Sequence, residues 1–597
     1  MSNLDLENFD YHKLKNLNDK QLSELAKQIR EEIILDVSKN GGHLSSNLGI
    51  VELTISLLKI FDPLKDDILF DVGHQCYTYK ILTGRNLKLL RLNNGISGFL
   101  SKDESIYDKY TSGHSGSALG IGLGLATYKK ITKNNSHTII VVGDASLANG
   151  VSFETLTNLN NNNFGKVLII LNDNQMSISQ HKGGTSSLFS RLRNSYFYQN
   201  GALIYNRLFN NKYLSWFYKF TVKIKDSLKR LLIPSNLFES MNISYLGPID
   251  GYSFKKLNRF ITHLANLNRS SILQIETKKG KGYLLAENDK NGYYHGVGPF
   301  NPKTGLKFQL KKDFSYYTSQ ALYQLMEKEK ESIIITPAMI IGGKLENIFK
   351  SFPNRSFDVG ISEESSLNIA AGFALKGKAI VEIYSCFMQR AYDQLLNELS
   401  LMNLKALIVI ERAGLTGQDG PSHQGIFDMD LLLSLPNGVI YQPRSANEIS
   451  KIITSYDFND LCFVRIEKEN DGLDLDIVTN YKLLNKSLNS TLILIGVEAN
   501  KLVKEKLDYN IVELVKLRPI DDKLLQFLLT QKEIILVNSS STSTYASFFN
   551  FELTKLGYKG SFKTYSLERK FNKVATKQEQ LKDNHLDLDY LLKQLKK

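Results

Sequence analysis

Cysteine is scarce. The three that occur in 597 residues, Cys76, Cys386 and Cys462, are too few and too scattered for a disulfide framework or a paired-cysteine zinc site, and they suit a reducing compartment. No run of about 18 apolar residues occurs, so no membrane-spanning helix is expected. The first twenty residues are acidic and polar where a signal peptide would be basic and then apolar. Cytoplasmic residence without a membrane partner is the resulting expectation. Also missing is a concentrated basic run with interleaved aromatics, so the net charge of +13 reads as compositional drift in a chain rich in Asn, Ile and Lys, and not as a nucleic-acid surface. No short-period repeat or low-complexity tract interrupts the chain. What is present, 42% hydrophobic and 23% charged residues, is the composition of a soluble globular protein with several cores.

Apolar β-branched runs alternate with helical patterns along the whole length. HTIIVVGD, KVLIILNDN and SILQIETKKGKGY mark a first set; ESIIITPAM, KAIVEIYS, KALIVIERAG and GVIYQPRS a second; TLILIGVE, YNIVELVKLRPID and KEIILVNSS a third. Short strands each followed by a helix-like segment predict an α/β fold of three consecutive units with mainly parallel sheets. Polar, turn-rich joints fall at residues 300–313 and 470–490. The predicted domains are therefore 1–310, 311–475 and 485–597. Between about residues 181 and 240 the sheet pattern breaks into a long polar and aromatic insert, either a movable cover or a passive insertion.

The most specific chemical signal is GDASLANGVSFETLTNLNNNNFGKVLIILNDNQMS. One strand ends at Asp144 and the next delivers Asn174, both at the carboxyl edge of a parallel sheet, where ligands of such folds bind. A carboxylate and an amide oxygen are hard donors suited to Mg²⁺ held against phosphate oxygens, and the Met176 carbonyl can complete the set. The helix predicted to open at Ser146 offers free N–H groups to the same diphosphate. This segment looks like a thiamine-diphosphate fingerprint, with Ala145 where a glycine is usual. In DVGHQCYTYKILTGR and YTSGHSGSALGIG, the small residues Gly113 and Ser115 allow close backbone approach to phosphate, and His74 and His114 can donate to its oxygens.

HLSSNLGIVELT, DVGHQCYTYKILTGR, YLGPIDGYSF, TKKGKGY, FDVGISEES, YSCFMQRAYDQ and ERAGLTGQDGPSHQG occur in the order found in the 1-deoxy-D-xylulose-5-phosphate synthase family, which the chain resembles over nearly its whole length. The resemblance implies a transketolase-like fold with diphosphate-binding, pyrimidine-binding and C-terminal domains. It also implies a homodimer and a cofactor, thiamine diphosphate with Mg²⁺. The implied reaction condenses pyruvate with D-glyceraldehyde 3-phosphate, a step of isoprenoid and thiamine biosynthesis.

The same resemblance assigns residues. Glu363 is the acid beside the aminopyrimidine nitrogen, Phe387 packs on that ring, and Tyr283, Ala145 and Ser146 join the cofactor contacts. His43, His423 and His295 carry proton traffic, with Asp419 in support. Arg412, Arg465 and Tyr384 face the substrate phosphate, whereas Arg390 fits a structural ion pair equally well. Glu364 and Ser365 stand where the family has Gln-His, and Arg465-Ile466-Glu467-Lys468-Glu469 where it has Arg-Tyr-Pro-Arg-Gly. Two other functions share part of the pattern: a sibling transketolase or 2-oxo-acid dehydrogenase component, against which GQDGPSHQG argues, and a non-catalytic regulatory relative, which the changes at Glu364 and Ser365 leave open.

Overall fold

The computed structural model describes residues 9–161, 163–174, 243–307, 311–469 and 476–596, with residues 6, 238 and 241 singly. Met176 and nearly all of the 181–240 insert lie outside these residues. The chain forms two compact units. The first is Met1–Leu35, His43–Asn86 and Phe99–Gly296, and the second is Asp36–Gly42, Leu87–Gly98 and Val297–Lys597.

Among the described residues the first unit has a sheet of five strands, β1 (Asp67–Phe70), β2 (Thr138–Gly143), β3 (Leu168–Asp173), β4 (Ser244–Asp250) and β5 (Ser271–Glu276). They lie in the order β1-β2-β3-β5-β4, all parallel. Ile139, Ile140, Ile169, Ile170 and Ile272 are wholly enclosed, which is why these strands read as continuous apolar runs: helices cover both faces of a parallel sheet. Two helices matter below, α1 (Ser117–Ile131) and α2 (Gly150–Asn158).

The second unit holds two sheets. One contains β6 (Ser332–Thr336), β7 (Ser356–Asp358), β8 (Lys378–Tyr384), β9 (Ala406–Ala413), β10 (Val439–Tyr441) and β11 (Leu461–Glu467). The other contains β12 (Tyr481–Leu484), β13 (Ser490–Ile495), β14 (Asn510–Leu514), β16 (Glu533–Thr542) and β17 (Ser561–Leu567). The short strand β15 (Lys516–Arg518) follows β14 after a single residue yet crosses to the first of these sheets, where it pairs antiparallel with β10. All other pairings are parallel except β12 with β14. Helix α3 (Phe314–Lys328) packs on the β6–β11 sheet, and α4 (Glu363–Ala374) follows β7. Every apolar run named from the sequence forms a strand; β1, β12 and β17 are too short or too polar for alternation to reveal.

Candidate active site

In the first unit Gly143 on β2 stands opposite Asn172 on β3, so the next residues out are Asp144 and Asp173, and Asn174 follows one place beyond the end of β3 at the same sheet edge. Asp144 is buried. Burial, reinforced by the Asp173 charge and opposed by Lys279, pushes its carboxyl up to about 7. Lys279, just beyond β5, is drawn down to about 8 by its own burial. It was not singled out from the sequence, although it sits in the TKKGKGY motif. The helix expected to open at Ser146 is broken in two: Asp144–Leu147 forms one turn, and Asn149 starts α2 by accepting from Val151 N at 3.1 Å. Ala145 and the buried Ser146 lie in that first turn.

Gly113, His114 and Ser115 lead into α1, whose first free N–H groups meet Asp71 at the end of β1: Gly116 N donates at 2.9 Å and Ala118 N at 3.1 Å. Gly116 has φ 85°, and a Cβ there would come 2.7 Å from Asn149 Oδ1, so this corner needs glycine.

Three histidines cluster beside it. The rings of His43 and His74 lie 5.6 Å apart, His43 and His295 5.7 Å, and His74 and His295 5.4 Å. One amide fixes two of them, Asn47 Nδ2 donating to the carbonyls of His43 at 2.8 Å and His74 at 2.7 Å. Ser46 Oγ lies 3.3 Å from His295 Nδ1. Burial, with neighbouring cations, holds His74 and His295 well below the usual imidazole value, so both are neutral. His74 Nδ1 is buried with no partner among the described residues. Tyr283 packs edge-on against Tyr294, 5.8 Å away.

In the second unit Glu363 opens α4 and is buried. Burial raises its carboxyl above the usual range, and Arg390, donating to Oε2 at 3.3 Å, opposes this. Glu364 is half-buried and Ser365 exposed. Tyr384 and Phe387 stack at 5.6 Å, and His423 meets Phe387 edge-on at 5.6 Å, its Nδ1 2.9 Å from Ser422 Oγ. The Arg412 guanidinium lies 4.2 Å over the Tyr384 ring. Asp419 gathers three cations: Lys468 Nζ at 2.7 Å, Arg91 at 2.8 Å and Arg412 at 3.4 Å. Burial alone would raise this carboxyl, but Lys468, Arg412 and Arg91 hold it well below the usual carboxylate range.

Arg465 is the departure from expectation. It is wholly buried, doubly bonded to Asp428 at 2.8 Å through Nε and again through the second guanidinium nitrogen, and further bonded to Gln442 and Ser540. Its donors are consumed inside the protein. Three residues on, beyond the end of β11, Lys468 is 43% exposed. It borders a cleft of about 340 Å³ whose lining includes Ser315, the cations Lys311 and Lys577 and the acids Asp313, Glu467 and Glu469. Glu467 and Glu469, two further changed residues of that segment, both pair with Lys577.

A family model described as 1-deoxy-D-xylulose-5-phosphate synthase matches residues 6–277, and one described as the transketolase pyrimidine binding domain matches residues 311–471. Relatives carrying the first description are similar over most of their length. That of Geobacillus sp. (strain WCH70) is 37% identical over 552 residues, 86% of this chain and 86% of its own length. That of Clostridium tetani is 35% identical over 586 residues, covering 93% and 94%, and that of Clostridium beijerinckii 36% over 593, covering 96% and 95%. A solved transketolase from Campylobacter jejuni aligns over 96% of this chain and 99% of its own at 16% identity and a TM-score of 0.39; the fold assignment rests on the strands and not on that likeness.

Proposed function

The chain belongs to the 1-deoxy-D-xylulose-5-phosphate synthase family, and on that premise we propose that it joins pyruvate to D-glyceraldehyde 3-phosphate, with loss of CO2, to give 1-deoxy-D-xylulose 5-phosphate. The observation that carries this reading beyond family membership is the group of Arg412, Lys468 and Arg91 around Asp419, of which Lys468 borders the cleft. Three cations against one carboxylate leave positive charge for a phosphorylated aldehyde.

The residues fit thiamine diphosphate with Mg²⁺. Asp144 is a buried carboxylate with a cationic neighbour and no ion pair among the described residues, Asn174 adds an amide oxygen, and His74 Nδ1 is a buried atom without a partner among the described residues, suited to a phosphate oxygen. Thiamine diphosphate would supply carbanion chemistry and an electron sink for decarboxylation. Asp144, Asn174 and the Met176 carbonyl would hold the metal, and Gly113, His114, Ser115, Ala145, Ser146 and Tyr283 would line the cofactor. Glu363, kept protonatable by burial, would exchange a proton with the pyrimidine nitrogen, and Phe387 would pack on that ring. The neutral imidazoles of His74 and His295 beside His43 can each donate one hydrogen bond and accept another, which suits proton traffic at a reacting carbonyl. His423 serves the acceptor. Arg412, Lys468 and Tyr384 hold its phosphate, the role that the buried Arg465 leaves vacant.

The working enzyme is proposed to be a cytoplasmic homodimer. Helix α1 leaves Gly120, Ile121, Gly124 and Tyr128 uncovered and α4 leaves Ile369 uncovered, apolar strips that a second copy would bury. All three thiols are buried and free, and no described helix is long and apolar enough to cross a membrane. Turnover of pyruvate plus D-glyceraldehyde 3-phosphate, with mass detection of the five-carbon product, tests the reaction. Turnover of a ketose phosphate donor instead would favour a transketolase, and cofactor binding without either reaction a regulatory subunit.

A further inference from the structure

Two buried acids of the second unit have no part in the chemistry above. Glu382 on β8 and Glu411 on β9 are 0% and 1% exposed. In the parallel register Glu382 stands opposite Val409 and Tyr384 opposite Glu411. All four side chains therefore leave the same face of the sheet, and the two acids are diagonal neighbours within reach of each other.

Their oxygens are unevenly served. Oε1 of each meets no partner among the described residues. Ser315 Oγ, on the wall of the cleft, donates to Glu411 Oε2 at 2.8 Å. Thr336 Oγ lies 2.9 Å from the Glu382 main-chain carbonyl and 2.8 Å from Glu382 Oε2. A threonine hydroxyl carries one hydrogen. If it donates to the carbonyl, the second contact is a hydrogen bond only when Oε2 bears a proton and donates it. The covering loop is cut to fit: a Cβ on Gly343 would come 2.4 Å from Glu382 Oε1, and one on Gly342 2.1 Å from the Tyr384 hydroxyl.

Charges face the pair from each packed element. Arg412 follows Glu411 on β9, and Asp313, the N-cap of α3, pairs at 2.7 Å with Lys344 from the loop after β6. Burial dominates. It drives Glu382 well above the carboxylate range, reinforced by Glu411 and opposed by Thr336 and Arg412. It also raises Glu411, with Asp313 adding to the rise and Ser315, Arg412 and Lys344 opposing it. Two carboxylates so placed do not both ionise near neutrality.

We propose that Glu382 and Glu411 form a proton-holding pair, Glu382 as the neutral acid and Glu411 exchanging its proton with cleft water through the Ser315 hydroxyl, and that the charge of the pair sets how tightly Arg412 grips a phosphorylated acceptor. Both are positioning residues. The second half of the proposal rests on the reading that Arg412 contacts the acceptor phosphate. When Glu411 loses its proton, a negative charge appears beside Arg412 and competes with the phosphate, so acceptor binding weakens as pH rises.

Two measurements decide it. Infrared difference spectra of wild type against Glu382→Gln at neutral pH should contain a carboxylic-acid band that the variant lacks; no such band overturns the neutral-acid assignment. The KM for D-glyceraldehyde 3-phosphate is then followed from about pH 7 to about pH 9, above the titration of a phosphate ester near 6. It should rise about tenfold in wild type, the effect of one charge roughly 10 Å away at an effective dielectric near 20, while the KM for pyruvate stays level. Glu411→Gln should hold the low-pH value throughout, and Glu411→Asp should restore the slope. A slope that persists in Glu411→Gln overturns the link to Arg412. Failure of wild type to turn over these substrates would count against the proposed reaction, and the infrared band would still decide the pair.

Discussion

Lys468→Ala and Arg465→Ala are expected to part company, although the two cations sit three residues apart on one segment. Lys468 is 43% exposed, and its partner Asp419 keeps Arg91 and Arg412 when it is removed. An exposed pair of this sort stabilises by only about 0–1 kcal/mol, so Lys468→Ala should unfold in urea close to the wild-type midpoint. What it loses is a charge-assisted hydrogen bond to the acceptor phosphate, about 1.5–3 kcal/mol, which at about 1.4 kcal/mol per decade raises the KM for D-glyceraldehyde 3-phosphate roughly 10- to 100-fold. The KM for unphosphorylated glyceraldehyde should not move, and Lys468→Arg should keep most of the affinity. Arg465→Ala strands Asp428, 0% exposed on its side chain, without its counter-ion. Breaking such a pair costs about 3–5 kcal/mol, so this variant should fail in the urea titration before it fails in kinetics. A stable Arg465→Ala with a selective rise in acceptor KM would refute the reasoning, as would an equal rise for both aldehydes in Lys468→Ala.

Asp144→Ala should abolish divalent-ion-dependent retention of thiamine diphosphate, read by calorimetry with and without Mg²⁺; unchanged affinity would remove Asp144 from the metal. Glu363→Gln should slow exchange of the bound cofactor's acidic C–H with deuterium far more than Glu364→Gln, and the reverse order in a nuclear magnetic resonance time course would transfer the role. Gly116→Ala, which meets Asn149 Oδ1 at 2.7 Å in a left-handed backbone, should destabilise by about 1 kcal/mol or more, visible as a lowered urea midpoint. Glu411 is raised by burial, so the folded state binds its proton more tightly than the unfolded chain; stability is full below the unfolded value and is lost as pH rises through the folded one. Glu411→Gln should therefore gain on wild type between acid and neutral pH in matched urea titrations, and a constant difference would mean that folding does not raise the Glu411 carboxyl.

Local pattern was enough wherever the chemistry is local. Asp144 and Asn174 each directly follow an enclosed apolar strand, and a parallel sheet presents such positions at one edge, so their placement at that edge was legible from 30 residues of chain. Arg465 misled because a residue two places before the last one of β11 is still inside the ladder, while the ligand edge begins beyond Glu467, at Lys468. Arg91 was invisible for another reason: its partner Asp419 is 328 residues away, and no periodicity encodes that meeting. Glu382, alternating with apolar residues in KAIVEIYS, reads as a solvent-facing position. In a strand flanked by β6 and β9 and covered on both faces, alternation no longer reports exposure.

The crossing of the chain from β14 to β15 ties the fate of two sheets together. Residues 510–518 contribute one strand to each, with only Val515 between them. Tyr545, from the helix after β16, donates to the Leu517 carbonyl at 2.8 Å, and Arg444 after β10 is wholly buried against Glu513 on β14. A fragment ending near residue 480 would lose the edge strand that shields β10 and strand the Arg444 guanidinium without Glu513. The C-terminal third is thus no detachable appendage but the closing wall of the unit that carries Glu363 and Arg412. The second unit should melt in one calorimetric transition, and shuffling between relatives should fail at the 470–490 joint.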